Sequence, residues 1–280
     1  MENKDVYILK MSGERVVFSK EKLRHSLVHS GAQKSTIDFV IQEIENNLND
    51  DITTKEVYKK AYNLLRKKSR INASKYKLKQ GIMELGPTGF PFENFIGELL
   101  KHQGYKTQVG VIVKGECVNH EVDVVAEKGN KHYMIECKFH SSFSTKCHVK
   151  NPLYIHSRFL DIEKQWKKQK NHENKFHQGW LVNNTRFSED ALKYGICAGL
   201  KLLSWDCPLG NSLKEQISLF GLYPITCLST LNQQEKKLLL QKNIVLCKQL
   251  CSNPIVLNQI GIVGRKYERV LSNAKGLCTD

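Results

Sequence analysis

The sequence lacks any apolar run that approaches the ~18 residues needed to cross a bilayer, and we therefore expect no membrane span and no membrane partner. Its polar first residues also lack the apolar region of a signal peptide. No CxxC pair is present, and an odd count of nine cysteines does not fit a disulfide framework. Because a reducing compartment suits free thiols, we expect a cytoplasmic protein.

Acidic residues are scarce relative to basic ones. The chain has 28 Asp and Glu against 43 Lys and Arg, which gives a formal net charge of +15. This excess makes a polyanion such as nucleic acid the first partner to consider, although general solubility would also explain it. The composition is 40% hydrophobic with a mean hydropathy of −0.42, as expected for a globular protein. With 280 residues the chain can hold two or three domains.

Two strands are predicted near the middle of the chain. Residues 120–126 and 132–140 are rich in β-branched and aromatic residues, and a polar break at residues 127–131 separates them. Because this break is so short, it predicts an antiparallel hairpin.

Charged side chains recur at alternate positions of this apolar hairpin. Glu121 and Asp123 share one face of the first strand, and Glu136 and Lys138 share one face of the second, with Cys137 on the other. If the two charged faces coincide, burying three carboxylates and one ammonium is costly unless something pairs them. A divalent metal would do so, and such carboxylates are the hard oxygen ligands that Mg²⁺ accepts. The alternative is a surface hairpin with solvated charges.

The spacing of Asp123, twelve intervening residues and Glu136-x-Lys138 resembles the core of the PD-(D/E)xK nuclease superfamily. The resemblance implies that Asp123 and Glu136, with the backbone carbonyl of Cys137, bind Mg²⁺ or Mn²⁺. It also implies that Lys138 positions the attacking water and stabilises the transition state. These would be the catalytic residues of a metal-dependent nuclease.

A helix predicted for residues 92–102 precedes the hairpin and has Glu93 in its first turn. The matching helix of Mrr-like restriction endonucleases carries an extra acidic residue toward the metal, so the resemblance implies that Glu93 or Glu121 completes the metal shell through water. Stabilisation of a first-turn glutamate by the helix dipole is the alternative. The predicted order α-β-β-β-α-β-α-β over residues 87–210 is also similar to that branch.

Residues 1–86 are predicted to form a β-hairpin followed by a small helical bundle. Strands at residues 6–10 and 14–18 come first, Ser19 is the expected cap of the next helix, and Thr54 is the expected cap of a later one. This order is typical of a small α+β domain.

The motifs Lys10-x-x-Gly13, Ser19-x-x-Lys22 and Thr54-x-Glu-Val-Tyr58 resemble the ATP-cone, a nucleotide-sensing module. The resemblance implies that Lys10 and Lys22 contact phosphates of ATP or dATP, that Thr54 helps to hold the nucleotide, and that Tyr58 packs near it. The alternative is a structural or DNA-binding domain whose lysines are solvated.

The helix that follows the hairpin is a candidate DNA contact. In a helix predicted for residues 151–170, Tyr154 and Arg158 are spaced to share one face with the preceding Lys150, and these three could line the site or grip phosphate. A solvated helix end is the alternative.

The end of the chain, residues 211–280, is predicted to be helical. Around Gly261-Ile-Val-Gly264 it resembles a helix-hairpin-helix, in which the turn amides and the next helix start hold a DNA phosphate. Arg265 and Lys266 are placed to assist there, although a plain helical bundle would fit the pattern as well.

A zinc site has to be considered because histidines and cysteines cluster near the hairpin. Their spacing fits no zinc-finger or zinc-hydrolase signature, and zinc is not favoured. The residues in question are His120, His140, His148, Cys137 and Cys147.

Together these patterns predict an α/β fold with three parts. They are an N-terminal α+β ATP-cone, a central PD-(D/E)xK sheet flanked by helices and a C-terminal helical, helix-hairpin-helix-like segment. The predicted function is a Mg²⁺-dependent DNA endonuclease of restriction or repair type. ATP or dATP is predicted to gate its cleavage activity or its homo-oligomer assembly. The alternatives are a nucleotide-sensing DNA-binding regulator without cleavage activity and a nuclease that acts on RNA.

Overall fold

The computed structural model describes residues 6–10, 13–170, 172 and 174–278, so that Met11 and Ser12, inside the Lys10-x-x-Gly13 motif, lie outside the described residues. The N-terminal part contains three short strands and five helices. These are β1 (Tyr7–Leu9), β2 (Arg15–Val17), α1 (Lys20–His29), α2 (Lys34–Asn46), β3 (Ile52–Thr53), α3 (Thr54–Lys68), α4 (Arg70–Tyr76) and α5 (Leu78–Met83).

The predicted N-terminal hairpin is present, and a third strand joins it. β1 pairs antiparallel with β2 and parallel with β3. Ser19 caps α1 as predicted, because its side-chain oxygen accepts a hydrogen bond from the Lys22 amide at 3.2 Å. The prediction of Thr54 as a cap is wrong. The cap of α3 is Thr53, whose Oγ1 accepts from the Glu56 amide at 3.1 Å while the Glu56 carboxylate accepts from the Thr53 amide at 2.9 Å.

The central part consists of a five-stranded sheet, a small parallel strand pair and three helices. In chain order they are α6 (Phe90–His102), β4 (Lys106–Lys114), β5 (Asn119–Lys128), β6 (Lys131–Lys138), β7 (Lys146–Cys147), α7 (Lys150–Lys167), β8 (Phe176–Asn183), β9 (Arg186–Phe187), α8 (Glu189–Cys197) and β10 (Lys201–Leu203).

The five strands lie in the order β10-β8-β6-β5-β4. The predicted antiparallel hairpin of β5 and β6 is confirmed, with Val124 opposite Ile135, and β8 runs parallel to β6. Residues 132–137 of β6 are all buried because this strand is central and both faces of the sheet are covered. The edge strand β4 instead alternates between exposed and half-buried positions.

Different helices cover the two faces of the sheet. On one face, Phe92 and Phe95 of α6 share a core with Val124 and Ile135, and on the other, α7 packs through Phe159 onto the sheet. Such a two-sided arrangement is the usual way for a mixed sheet to bury its apolar surface. It places the middle of β5 and the end of β6 between Glu93 at the start of α6 and Arg158 in the middle of α7.

The C-terminal part extends the core on the α6 side. Its helices are α9 (Leu213–Leu219), a 3₁₀ turn (Ile225–Cys227), α10 (Gln233–Gln241), α11 (Cys247–Ser252), α12 (Ile255–Gln259) and α13 (Gly264–Cys278). They share one hydrophobic cluster with α5, α6 and the sheet, whereas α1 to α4 form a separate cluster. In the described part of the chain, no helix is both long enough and apolar enough to span a membrane.

A buried ion cluster connects α5 to α10. Lys77 Nζ lies 2.8 Å from Glu84 Oε1, and Lys236 Nζ lies 2.8 Å from Glu84 Oε2. Burial would raise the pKa of Glu84, but the two ammonium groups outweigh it and hold the pKa below its usual value. This one carboxylate therefore compensates two positive charges, of which Lys236 is buried and Lys77 is half-buried.

Candidate active site

The predicted catalytic residues lie in the middle of β5 and at the end of β6, beside α6 and α7. The Cys137 amide donates a hydrogen bond to Asp123 Oδ2 at 2.7 Å, which ties the two strands together beyond their last paired residues, Val124 and Ile135. Glu136 is 2% exposed, whereas Lys138 is half-buried at the mouth of the site. The antiparallel pairing thus brings residues from opposite ends of the motif together.

Glu136 pairs with a cationic neighbour, Arg158, that sequence spacing had not assigned to it. Arg158 Nη1 lies 2.6 Å from Glu136 Oε1, and the same guanidinium donates to the backbone carbonyl of Glu121. The pair lacks hydrogen-bond geometry, so that Glu136 Oε1 is buried without a hydrogen bond among the described residues. Arg158, predicted as a DNA contact, is in this structure part of the catalytic cluster.

The carboxylates of the site repel one another. Burial, together with Asp123, raises the pKa of Glu136 to about 8 against the opposing charge of Arg158. Burial raises the pKa of Glu93 to about 7, and the charges of Asp123 and Glu121 contribute. Burial also raises the pKa of Asp123, although the Cys137 amide and Lys138 oppose it. A divalent cation would relieve this repulsion.

The donor set fits a hard cation. Asp123 and Glu136 supply carboxylate oxygens, one of them buried without a hydrogen bond, and Glu93 faces them from the first turn of α6. Oxygen ligands of this kind are the set that Mg²⁺ and Mn²⁺ prefer. Glu121 is exposed at the rim, where contact through water is the available mode.

We expect metal binding at this site to release protons and to strengthen with pH. Glu136 has a pKa of about 8 without metal, so below that pH its carboxyl group is protonated and must ionise before it can bind. For one proton released, affinity should rise about tenfold per pH unit until the pH reaches that pKa. Calorimetric titration of Mn²⁺ at several pH values, in buffers of different ionisation enthalpy, measures both quantities. A pH-independent affinity would contradict the assignment, and Glu136→Gln is the control without the titrating group.

Asn183, the last residue of β8, and the following Asn184 support the strand that carries Glu136 and Lys138. Asn183 is fully buried beside Lys138 in the parallel register of β8 and β6. Asn184 Oδ1 accepts from the His140 amide at 2.8 Å, and Asn184 Nδ2 donates to the His140 carbonyl at 2.9 Å. These bonds fix the chain just after Lys138. Sequence spacing alone could not indicate that role, because the partners are 44 residues apart.

One face of α7 presents the remaining central candidates. Lys150 is its first residue and is exposed, and Tyr154 is 59% exposed. The guanidinium of Arg158 lies 5.4 Å from the centre of the Tyr154 ring. The three side chains therefore lead from solvent into the carboxylate cluster, as their spacing predicts.

The predicted nucleotide-binding residues do not line a common cavity. Tyr58 stacks on Tyr76, with 5.0 Å between ring centres, and lines a cavity of about 640 Å³. Lys10, Lys22 and Thr54 are not among the lining residues of that cavity. Lys10 instead pairs with a neighbouring carboxylate, that of Glu14, at 2.9 Å.

The C-terminal candidates lie after a turn between two helices, as predicted. Gly261 (φ +82°) and Gly264 (φ +58°) adopt the left-handed backbone that such a turn requires. Arg265 is exposed at the start of α13. Lys266 was predicted to hold phosphate, but in this structure its ammonium pairs with Glu235.

The histidines and cysteines considered for zinc do not form a group of ligands in the described part of the chain. His120 Nε2 lies 2.7 Å from Asp161 Oδ2, and the other oxygen of that carboxylate, Oδ1, accepts a hydrogen bond from the Cys117 amide at 2.9 Å. The side chains that do gather, His132, His172 and His177, were not in the predicted set.

Comparison with known proteins agrees with the central geometry. The family described as "Restriction endonuclease" matches residues 87–152, a range that includes Glu93, Asp123, Glu136 and Lys138, and the family described as "AF1548-like, C-terminal" matches residues 223–278. An uncharacterized protein of Archaeoglobus fulgidus is 37% identical over 181 residues, which is 64% of this chain and 98% of that protein.

A solved structure is also similar. The crystal structure titled as a protein of unknown function, AF1548, has 35% identity and a TM-score of 0.56, and the match covers 68% of this chain and 98% of that one. The ATP-cone is not shown by these comparisons. The chain belongs to the AF1548-like family, with a restriction-endonuclease domain of the Mrr and PD-(D/E)xK type joined to an AF1548-like C-terminal domain.

Proposed function

We propose that the protein is a Mg²⁺-dependent endonuclease that hydrolyses phosphodiester bonds in DNA. The observation that carries the proposal is the cluster of Asp123, the buried Glu136 and the half-buried Lys138 where the pairing of β5 with β6 ends, inside the matched endonuclease domain. A surface hairpin with solvated charges would not bury Glu136 to 2% exposure. The chain's net charge of +15 suits a nucleic-acid substrate.

Asp123 and Glu136 would hold the metal, with the Cys137 carbonyl as a further ligand. When bound, the metal would make hydroxide available near neutral pH and stabilise charge on the phosphate. Lys138 orients the attacking water and stabilises developing negative charge with its ammonium group. Glu93, in the first turn of α6, would orient a water molecule beside the metal.

Lys150 and Tyr154 contact the DNA backbone on the approach to the site, and Arg265 contacts a phosphate at the C-terminal hairpin turn. We also propose that the N-terminal domain is an ATP-cone, in which Lys10, Lys22, Thr54 and Tyr58 hold ATP or dATP. The strand-strand-helix order of that domain supports this proposal. Bound nucleotide would then gate cleavage or homo-oligomer assembly.

The test is cleavage of supercoiled and methylated plasmids with Mg²⁺ or Mn²⁺, with and without ATP and dATP. Asp123→Ala should abolish metal-dependent cleavage, whereas Asp190→Ala, at an exposed aspartate of α8, should retain it. Equal cleavage by Asp123→Ala would reject the site. DNA binding without cleavage by the wild-type protein would favour a DNA-binding regulator, and an unchanged rate and oligomeric state with nucleotide would reject the gate.

We expect Arg158→Ala to move the pH dependence of cleavage to higher pH. The guanidinium favours the ionised form of Glu136, and an opposite charge this close lowers a carboxyl pKa by about one to three units. Its loss should raise that pKa, so that the rising limb of the pH–rate profile shifts upward by a similar amount.

The matched control is Lys150→Ala, at the exposed start of the same helix, which should weaken DNA binding without shifting the profile. If Arg158→Ala lowers the rate equally at every pH, Arg158 acts on the DNA and not through Glu136.

A further inference from the structure

Three histidines meet at the end of β6 that is remote from the carboxylate cluster. His132 and His177 are the second residues of β6 and β8 and lie side by side in the parallel register, and His172 lies in the connection that precedes β8. One ring nitrogen from each residue lies within 4.8 Å of those of the other two. Four residues of strand separate His132 from Glu136, which is about 13 Å.

Four of the six ring nitrogens of this cluster lack a hydrogen-bond partner among the described residues, whereas His172 Nε2 lies 3.4 Å from Lys175 Nζ. His132 is 5% exposed and His177 is 8% exposed. Within the described residues, His132 Nδ1, His172 Nδ1 and both nitrogens of His177 are buried without a hydrogen bond. Buried polar atoms are normally bonded, so four unpartnered nitrogens in one place call for a ligand. Burial lowers the pKa of His132 to about 3, which keeps its imidazole neutral with a lone pair available.

Two neighbouring side chains, Glu127 and Trp166, constrain the orientation of the His132 ring. His132 Nε2 lies 3.3 Å from Glu127 Oε1, which leaves Nδ1 as the free atom of that ring. A carboxylate on the far nitrogen is the usual arrangement behind a metal-bound histidine, because it fixes the tautomer and raises the basicity of the ligand. The Trp166 ring lies 3.9 Å from the His132 ring, centre to centre, and closes one side.

We propose that His132, His172 and His177 bind one Zn²⁺ ion, which anchors the connection between α7 and β8 to the start of the sheet. Neutral imidazoles suit Zn²⁺, with Zn–N distances of about 2.0–2.1 Å. A tetrahedral site then needs nitrogens about 3.3 Å apart, so the rings close in by rotation from their separations of up to 4.8 Å. Water supplies the fourth ligand, because the Glu127 carboxylate is engaged at His132 Nε2.

This zinc site is separate from the proposed nuclease metal in both place and chemistry. The nuclease site offers hard carboxylate oxygens and suits Mg²⁺, whereas the histidine site offers only nitrogen and suits Zn²⁺. The zinc proposal does not depend on nuclease activity. It would hold if the protein bound DNA without cutting it.

The test uses the full chain without a histidine tag. Protein is equilibrated with Zn²⁺, freed of excess metal by gel filtration and analysed for zinc per chain. Wild type, Asp123→Ala and His102→Ala, which alters an exposed histidine of α6, should each retain one zinc. His177→Ala and His172→Ala should each lower zinc affinity at least tenfold. Equal zinc retention by the two cluster variants, or no zinc in the wild type, would overturn the proposal.

A second readout is the visible spectrum with Co²⁺ in place of Zn²⁺, recorded in the Asp123→Ala background so that the nuclease site does not contribute. A tetrahedral nitrogen site should give intense d–d bands that His172→Ala removes. His172 is the least buried of the three, so this variant keeps the test valid if His177→Ala fails to fold. Cobalt spectra without tetrahedral bands would also count against the proposal.

Discussion

Lys138→Ala should lower the rate of metal-dependent DNA cleavage by about 10²–10³, the effect of removing one preorganised donor to developing negative charge. The ammonium group opposes the rise in the pKa of both Glu93 and Asp123, so its charge acts on the carboxylates of the proposed metal site. Among the described residues it forms no ion pair within 4.0 Å. Its charge is therefore free to act on the reacting phosphate, and the loss should appear in kcat with the substrate concentration saturating.

Two comparisons separate catalysis from structural support. Lys146→Ala removes an exposed lysine of β7, eight positions further along, and should leave kcat near the wild-type value. Lys138→Arg keeps the charge but replaces a compact ammonium with a planar guanidinium, so only partial recovery is expected. If Lys138→Ala lowers thermal stability and Mn²⁺ affinity while kcat at saturating metal is unchanged, the residue is a structural counter-charge and not a catalytic group.

Glu84→Ala should lower the free energy of unfolding by about 3–5 kcal/mol, the cost of leaving buried charge without compensation. Lys77 and Lys236 each lie 2.8 Å from a different Glu84 oxygen, and the Lys236 side chain is only 5% exposed. The variant would hold two ammonium groups together away from water. Because the cluster joins α5 to α10, urea unfolding followed by circular dichroism reports on the packing of the C-terminal helices.

The control for Glu84→Ala is Lys236→Met, which removes one buried charge, keeps most of the side-chain length and leaves the Lys77–Glu84 pair balanced. It should be close to neutral or stabilising. Because the pKa of Glu84 is held below its usual value, its stabilising contribution is present above the unfolded pKa of ~4.3 and is lost as the pH falls. The difference between wild type and Glu84→Ala should therefore shrink in acid. A difference that persisted at low pH would show that lost packing, not charge, is the cause.

The C-terminal helices share one hydrophobic cluster with α6, the helix that positions Glu93. The turn between α10 and α11 is of the same kind as the turn between α12 and α13. In the first, Ile244 N donates to the Leu239 carbonyl at 3.0 Å, and in the second, Ile262 N donates to the Leu257 carbonyl at 2.9 Å. Because this common core is closely packed, DNA held at the Arg265 turn would keep a defined position relative to the carboxylates.

Local sequence pattern was sufficient to predict several secondary-structure elements. The strands on either side of the polar break, the apolar face of the helix containing Phe92 and Phe95, and the Ser19 cap were all predicted, because each depends on side-chain periodicity or on contacts within four residues. Periodicity likewise put Glu136 and Lys138 on one face of their strand, whereas their catalytic role with Asp123 rests on the resemblance to PD-(D/E)xK nucleases and stays a prediction.

Contacts between residues distant in the sequence were decided by the tertiary structure alone. Spacing left Arg158 either lining the site or gripping DNA phosphate, and the packing of α7 against the sheet brings its guanidinium to Glu136. The Glu84 cluster and the meeting of His132, His172 and His177 likewise join residues up to 152 positions apart. Sequence periodicity determines which face of an element is apolar, but only the packing of whole elements determines which polar groups are buried together, and the chemistry of both proposed metal sites depends on that burial.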